Sequence, residues 1–159
     1  MPRSRAAAKA TAPHADRPPA PLDLGPLPDL VGYALRRAQL AVFQDFVETM
    51  ATVDIRPGQY SVLLLIATNP GVSQTEISEA LGIKPTNLAV LLNGLQARGL
   101  TERRRGAADK RAHALHLTPA GKTLMRKLDE LVQQHEQRVT ASLGADGKAR
   151  LLKLLEKFV

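Results

Sequence analysis

The sequence predicts a mainly helical fold that carries one short β-hairpin. Leu and Ala dominate the apolar residues, and aromatic residues make up only 3% of the 159 positions. This composition favours helices that pack through aliphatic side chains. Apolar residues recur at helical spacing through most of the chain, whereas apolar and polar residues alternate in only one short stretch. The predicted order is helix, helix, helix, helix, hairpin, helix, helix.

Residues 1–28 differ in composition from the rest of the chain. They hold seven of the eleven prolines and no aromatic residue, so we expect a disordered, proline-rich N-terminal arm. The arm lacks the apolar centre of a secretory signal, and no apolar run reaches the roughly 18–20 residues of a membrane span. Cysteine is absent, which excludes disulfides and thiol chemistry. The expected location is the cytoplasm.

The helix predicted from Asp29 to about Ala51 has more apolar surface than a monomer requires. A surface helix needs one apolar stripe, and this helix has two, so the second stripe predicts a partner. The next helix, over residues 57–69, is apolar nearly all round and is expected at the centre of the fold. The two stripes of the first helix are Val31, Leu35, Ala38, Val42 and Phe46, and Leu40, Phe43, Val47 and Met50.

Two short helices joined through Gly82 follow. The first, Ser73–Leu81, opens with Ser73 and Glu76 at the spacing of a capping box. The second runs from Pro85 to about Arg98 and ends at Gly99. Proline is well tolerated at a first helical position, and glycine commonly ends a helix. Its inward residues are predicted to be Leu88, Leu91, Leu92 and Leu95.

The hairpin comes directly after this helix pair. Residues 100–105 and 112–117 are predicted strands around a tip at 106–109, and the second strand has the alternation of a half-exposed strand. Thr118 and Pro119 then begin a long helix with the stripe Leu124, Leu128, Leu131, His135 and Val139. A last helix follows Gly144 and carries Leu151, Leu152, Leu155 and Phe158.

Positive charge concentrates in the same region. The net charge is +7, and residues 82–111 contain seven basic and two acidic residues. A helix pair followed by a basic hairpin predicts a winged helix-turn-helix DNA-binding lobe over residues 57–117. Residues 29–56 and 118–159 would form a helical dimerisation region. The alternative is that these basic residues form only a solvated face. In the N-terminal arm, the basic residues either contact DNA or only increase solubility; they are Arg3, Arg5, Lys9 and Arg17.

Specific residues can be proposed for DNA contact. Lys84 at the helix start favours a phosphate neighbour, Asn87 can pair with adenine, and Thr86 can meet a thymine methyl group. Thr86 and Asn87 are otherwise first-turn caps. Val90 lies on the outward side, where an apolar contact to thymine is possible. The hairpin adds the basic residues Arg103, Arg104, Arg105, Lys110 and Arg111, which fit a wing lying along the DNA backbone.

Several segments, in order and spacing, resemble the multiple-antibiotic-resistance regulator (MarR) family from about residue 30 to the C-terminus. They are residues 56–63, 73–77 with 81–83, 95–100, 109–111 and 117–121. The resemblance implies a triangular homodimer, built from the first helix and the last two, that binds a palindromic operator in double-stranded DNA. It also implies that Arg111 enters the minor groove and that Asp109 braces it. Val90 stands where the family's recognition helix often carries a basic residue, and Gly94 follows on the same outward side.

The resemblance also implies a small-molecule effector, often phenolic or carboxylated, that releases DNA. The residues available for it are Tyr33, Arg36, Arg37, Phe43 and Tyr60. The alternative places Phe43 and Tyr60 in the core and pairs the two arginines with Asp29 or Asp45. The four histidines lack metal-ligand spacing, so no metal or cofactor is predicted.

The expected function is a ligand-responsive, sequence-specific transcriptional regulator, with repression released by an aromatic or phenolic acid or its CoA thioester. A DNA-binding accessory protein without a small-molecule effector is the alternative. An enzyme is not expected, because the sequence has no Gly-rich phosphate loop, no clustered Ser, His and Asp set and no metal spacing.

Overall fold

The computed structural model describes residues 22–105 and 113–158, and it confirms the mainly helical winged helix-turn-helix fold. The proline-rich arm up to residue 21, the predicted hairpin tip at 106–109, Lys110 and Arg111 lie outside the described residues. The elements are α1 (Val31–Thr49), α2 (Pro57–Thr68), α3 (Gln74–Leu81), α4 (Pro85–Ala97), β1 (Thr101–Arg105), β2 (His113–Leu117), α5 (Pro119–Thr140) and α6 (Gly147–Leu155).

The helix boundaries follow the local signals in the sequence. Pro57, Pro85 and Pro119 each occupy the first position of a helix, where no backbone N–H is needed. Ser73 caps α3: its hydroxyl accepts a hydrogen bond from the Glu76 backbone N–H at 3.2 Å, and the Glu76 carboxylate accepts one from the Ser73 backbone N–H at 2.8 Å. The Ser73 backbone N–H and the Ser73 hydroxyl both donate to the Glu76 carboxylate, which stabilises its charged form and lowers the pKa of Glu76.

The core lies around α2, as its all-round apolar character predicts. α2 packs against α4, β2 and α5, so it lies at the centre of the fold. Gly121 in α5 marks one tight contact, because a Cβ at this position would lie 2.1 Å from the Leu100 carbonyl oxygen. The most deeply buried side chains are Met50, Val62, Leu63, Ile66, Ile77, Leu88, Leu92, Leu95, Leu115 and Leu128.

The two stripes predicted on α1 do not correspond to one buried face and one exposed face. Phe46, from the first stripe, and Met50, from the second, are buried together at the C-terminal end of the helix region. The remaining large apolar residues of both stripes are exposed in the single chain. α6 is similar, since Leu151, Leu152 and Leu154 are exposed, as is Phe158 just after the helix. The unpaired apolar surface therefore extends over both α1 and α6.

Candidate nucleic-acid interface

The N-terminal half of α4 presents a polar and apolar surface to solvent. Lys84, Thr86 and Asn87 are exposed, and Val90 is 72% exposed. Lys84 is the N-cap residue, and its side chain makes no capping hydrogen bond. Among the described residues, the side chains of Thr86 and Asn87 also form no hydrogen bond. Their functional groups are therefore available to another molecule at the positive end of the helix dipole.

The turn between α3 and α4 fixes the direction in which this surface points. Gly82 adopts a left-handed conformation with φ of 60°, which glycine tolerates without a steric penalty. The buried Ser78 hydroxyl donates a hydrogen bond of 2.6 Å to the Ile83 carbonyl. On the opposite side of α4, Leu88 and Leu92 are anchored in the core. α4 is thus held rigidly while its outer surface remains free.

The hairpin is attached to the lobe at its base. The backbone N–H of Gly71 donates to the Leu115 carbonyl at 2.9 Å, and the Leu115 N–H donates to the Val72 carbonyl at 3.0 Å. β2 is therefore hydrogen-bonded both to β1 and to the turn that follows α2. This double attachment places the hairpin beside the exposed surface of α4 with little freedom at its base.

The basic run of β1 divides between the two faces of the hairpin. Arg103 pairs with Leu115 and donates a hydrogen bond of 3.4 Å to the Asn93 side chain of α4. Arg104 pairs with Ala114 on the opposite face, where its guanidinium forms hydrogen bonds of 2.5 and 3.0 Å with the Glu102 carboxylate. The side chain of Arg103 thus reaches α4, and that of Arg104 is directed away from it. Arg105 ends β1.

The structure brings together only part of the predicted effector set. Arg37 and Phe43 line a groove of about 670 Å³ along the exposed face of α1. Arg36 instead donates to the Gln39 side chain at 3.4 Å, and Tyr33 does not line this groove.

Tyr60 lies elsewhere and packs on Phe46, with ring centroids 5.8 Å apart. Burial is the main cause of the raised pKa of its phenol, and the carboxylates of Asp129 and Glu136 on α5 raise it further. Tyr60 is therefore a contact between α2, α1 and α5.

A charged cluster that the sequence did not reveal joins α1 to α5. Asp45 accepts a hydrogen bond of 2.9 Å from Arg138 and lies 2.7 Å from Nδ1 of the buried His135. Arg138 also donates to the Thr49 hydroxyl. The alternative pairing of Asp45 with Arg36 or Arg37 is wrong, because α5 supplies the charged partners across the helix interface. A polar residue within the apolar stripe of α5, His135, was the available signal.

The described ranges contain no three His, Asp or Glu side chains close enough together to hold a metal ion. They also contain no helix that is sufficiently long and apolar to cross a membrane.

Comparisons with known proteins agree with this architecture. The family model described as MarR family matches residues 53–112. A putative transcriptional regulatory protein for the hcr operon of Thauera aromatica is 32% identical over 128 residues, which are 80% of this chain and 77% of that protein. The transcriptional repressor CouR bound to a 23-mer DNA duplex is 44% identical, with a TM-score of 0.83 over 87% of this chain and 99% of CouR.

CouR bound to p-coumaroyl-CoA is also similar, at 44% identity and a TM-score of 0.80, over 86% of this chain and 96% of CouR. The fold and the sequence together define a winged-helix transcriptional regulator. The chain belongs to the MarR family. The relatives it resembles are transcriptional regulators and not enzymes.

Proposed function

We propose that this protein is a homodimeric, sequence-specific transcriptional repressor that a small molecule releases from DNA. The observation that supports DNA binding most directly is the free N-terminal surface of α4 beside a basic hairpin. A recognition helix enters the major groove with its N-terminal residues facing the base edges. The similarity to CouR in its complex with a DNA duplex supports the same arrangement.

In this proposal several residues of α4 contact base edges in the major groove. Asn87 pairs with an adenine, and Thr86 and Val90 contact thymine methyl groups. Lys84 binds a phosphate at the start of the helix, where the dipole adds to its charge. Val90 supplies no hydrogen bond, so specificity depends strongly on Asn87.

The hairpin supplies the charge in this proposal. Arg103 lies on the α4 side and contacts a phosphate, whereas Arg104 contributes less because its side chain lies on the opposite face. Lys110 and Arg111, which lie outside the described residues, would extend the contact with Arg111 in the minor groove and Asp109 bracing it. Arg111→Ala should then weaken operator binding without dissociating the dimer.

The homodimer is supported by where apolar surface remains. Among the residues that the structure describes, every large apolar side chain that is strongly exposed, apart from Val90, lies between residues 22 and 47 or between 143 and 158. Large exposed apolar patches on a protein that is otherwise well packed mark interaction sites. Two copies that bury these segments against each other, apart from the α1 groove lined by Arg37 and Phe43, would present two α4 helices to a palindromic operator.

The proposed effector is an aromatic or phenolic acid or its CoA thioester. CouR, at 44% identity, has been solved with p-coumaroyl-CoA. In this chain the α1 groove combines the Phe43 ring with the Arg37 guanidinium, a pairing suited to an acyl-CoA that has both apolar and phosphate parts. Tyr33 and Arg36 lie nearer the start of the same helix. Tyr60 packs in the core against Phe46 and is not part of this site.

The test measures fluorescence anisotropy of the full chain on DNA from upstream of its own gene, with scrambled DNA of equal length as control. We expect tighter binding to the upstream DNA and an affinity that falls steeply with salt. Equal affinity for both duplexes would refute sequence-specific reading. p-Coumaroyl-CoA, p-coumarate and related aromatic acids and thioesters are then added. If none of these compounds releases the DNA, the alternative of an accessory protein without an effector is favoured.

The role of Asn87 has its own matched test. Asn87→Ala should reduce the preference for the upstream DNA by about 1–3 kcal/mol, because one base-edge contact is lost. Gln96→Ala is the control, since Gln96 is an exposed amide at the other end of α4. An equal effect of both substitutions would contradict base reading by Asn87.

A further inference from the structure

Arg98 links the end of α4 to the segment between α1 and α2, which is distant in sequence. Its guanidinium donates a hydrogen bond of 2.6 Å to the Asp54 carbonyl and one of 2.9 Å to the Val53 carbonyl. These partners lie 44 and 45 residues before Arg98. Among the described residues, no backbone N–H donates to either carbonyl, so Arg98 satisfies both. We name these two hydrogen bonds the Arg98 clasp.

The shape of the guanidinium suits this contact. It is planar and presents its N–H donors in a fixed arrangement, so it can bind two neighbouring carbonyls at once. The Asp54 carboxylate is a weaker partner, because its Oδ2 lies 3.9 Å from Arg98 Nη1 and its side chain is 90% exposed. An ion pair that is so exposed contributes little. The contact therefore depends on the two carbonyls and not on the carboxylate.

The segment that accepts these hydrogen bonds is fixed at both ends. It follows α1 at Met50, which is fully buried, and it continues into Ile55, which is also in the core. Between them Asp54 adopts a left-handed conformation with φ of 50°, which aspartate tolerates better than most residues. The backbone therefore turns sharply at the point where Arg98 binds it.

The Arg98 clasp gives α4 a direct connection to the end of α1. The main packing partners of α4 are α2, α3 and β1. α1 packs mainly on α5, where Asp45 binds Arg138. The Arg98 side chain thus joins the C-terminal end of the proposed recognition helix to the helix whose exposed apolar surface is proposed to form the dimer.

We infer that Arg98 is a positioning residue that fixes the orientation of α4 relative to α1, and so sets the separation of the two α4 helices in a dimer. In this role its guanidinium stays on the two carbonyls and does not contact a phosphate. One extra base pair between half-sites moves them apart by about 3.4 Å and rotates them by about 35°. A fixed separation therefore discriminates between half-site spacings. This consequence for DNA rests on the proposed function, whereas the link between α4 and α1 does not.

Hydrogen exchange of the full chain, followed by mass spectrometry, tests the link without DNA. Arg98→Gln should speed exchange at least about threefold in the last turns of α4 and in residues 51–56, and leave α3 unchanged. Arg126→Gln is the matched control, since Arg126 is an exposed arginine that donates to Thr123 within its own helix. Asp54→Asn keeps both carbonyls and should behave like wild type. Unchanged exchange in α4 of Arg98→Gln, or an equal effect of Asp54→Asn or Arg126→Gln, would overturn the inference.

Two DNA duplexes test the consequence for operator binding. One is the upstream DNA with its natural spacing, and the other has one base pair inserted between the half-sites. Wild type should bind the longer duplex at least about tenfold more weakly. In Arg98→Gln this preference should fall at least about threefold, because a loosely held α4 can follow the displaced half-site. A general loss of stability would weaken binding to both duplexes by the same factor, so a change in their ratio identifies positioning.

Salt dependence distinguishes positioning from a direct contact to DNA. The slope of log binding constant against log salt should be the same for Arg98→Gln and wild type. A slope that is lower by about 1 would mean that Arg98 binds a phosphate, and would overturn the inference. Arg98→Lys keeps the charge but loses the planar donor pair, so it should restore at most part of the spacing preference. If urea denaturation shows that Arg98→Gln does not fold, Arg98→Lys takes its place in both tests.

Failure of this inference and failure of the proposed function give different results. If wild type binds upstream and scrambled DNA equally, the proposed function fails, and hydrogen exchange still decides whether Arg98 links α4 to the end of α1. If wild type prefers the upstream DNA with its natural spacing and Arg98→Gln keeps the whole of that preference, the proposed function stands and the positioning role of Arg98 is wrong.

Discussion

The lobe from α2 to β2 and the flanking helices α1 and α6 use apolar residues in opposite ways. In the lobe, Leu63, Leu92 and Leu115 are almost completely removed from solvent. In α1 and α6, residues of the same type, such as Leu35 and Leu152, are exposed. The lobe satisfies its own packing requirements within one chain. The flanking helices do not, and this difference supports the proposed association of their exposed surfaces with a second copy of the chain.

The largest expected effect tests how rigid the lobe is where α5 crosses it. Gly121→Ala would place a Cβ 2.1 Å from the Leu100 carbonyl oxygen, and backbone can move only at the expense of neighbouring hydrogen bonds. We expect a loss of about 3 kcal/mol in the free energy of unfolding, measured by urea denaturation.

Gly94→Ala is the control for this substitution. A Cβ there meets nothing closer than the end of the Gln59 side chain at 4.0 Å, and alanine favours the helix. We expect it to be neutral or slightly stabilising. A similar loss in both variants would show that the close approach at Gly121 is not the cause.

A matched pair of valines tests the proposed association of the flanking helices. Val42 on α1, which does not line the α1 groove, and Val90 on α4 are both exposed in the single chain. Val42→Ser should remove about 1 kcal/mol of apolar burial from each copy, and so weaken a symmetric dimer by about 2 kcal/mol, or roughly thirtyfold in its dissociation constant. Sedimentation velocity over a range of protein concentrations measures this. Val90→Ser should leave the dimer intact. If both substitutions weaken the dimer, the interface is not where we propose it.

A third prediction separates the two faces of the hairpin. Arg103→Gln should lower the slope of log binding constant against log salt by about 1, since one phosphate contact is lost. Arg104→Gln should change the slope less, because its side chain is held by Glu102 on the other face. The measurement is operator affinity at several salt concentrations. Equal slopes for both variants would mean that both faces contact DNA.

The smallest effect concerns the contact that joins α1 to α5. The hydrogen bonds from Arg138 and His135 hold the pKa of Asp45 far below its usual range. The ionised carboxylate therefore stabilises the folded protein above the unfolded pKa of about 3.9, and this contribution is lost as pH falls through the lowered folded pKa. The stability difference between wild type and Asp45→Asn should shrink as pH falls from about 5 to about 3. A difference that does not depend on pH would contradict the lowered pKa.

Local signals determined most of the fold. The Ser73 and Glu76 capping box, the prolines at helix starts and the alternation of β2 act between residues close in sequence, so their outcome could be predicted without a tertiary context. The exposed start of α4 followed from the same periodicity, since its buried leucines leave the other face outward. The resemblance to the MarR family could also be recognised from the sequence, because each matching segment is short and local.

What only the tertiary structure decided depends on packing between distant elements. Periodicity showed two stripes on α1 but could not show that Phe46 and Met50 would be buried together, because that depends on where α2 and α5 lie. The partners of Asp45 are 90 or more residues away in sequence. Strand register placed Arg103 and Arg104 on opposite faces, and so separated one basic run into a surface beside α4 and a surface turned away from it. The sequence by itself determines which charged and apolar groups are present. Which of these groups lie close together depends on the packing of elements that are distant in sequence.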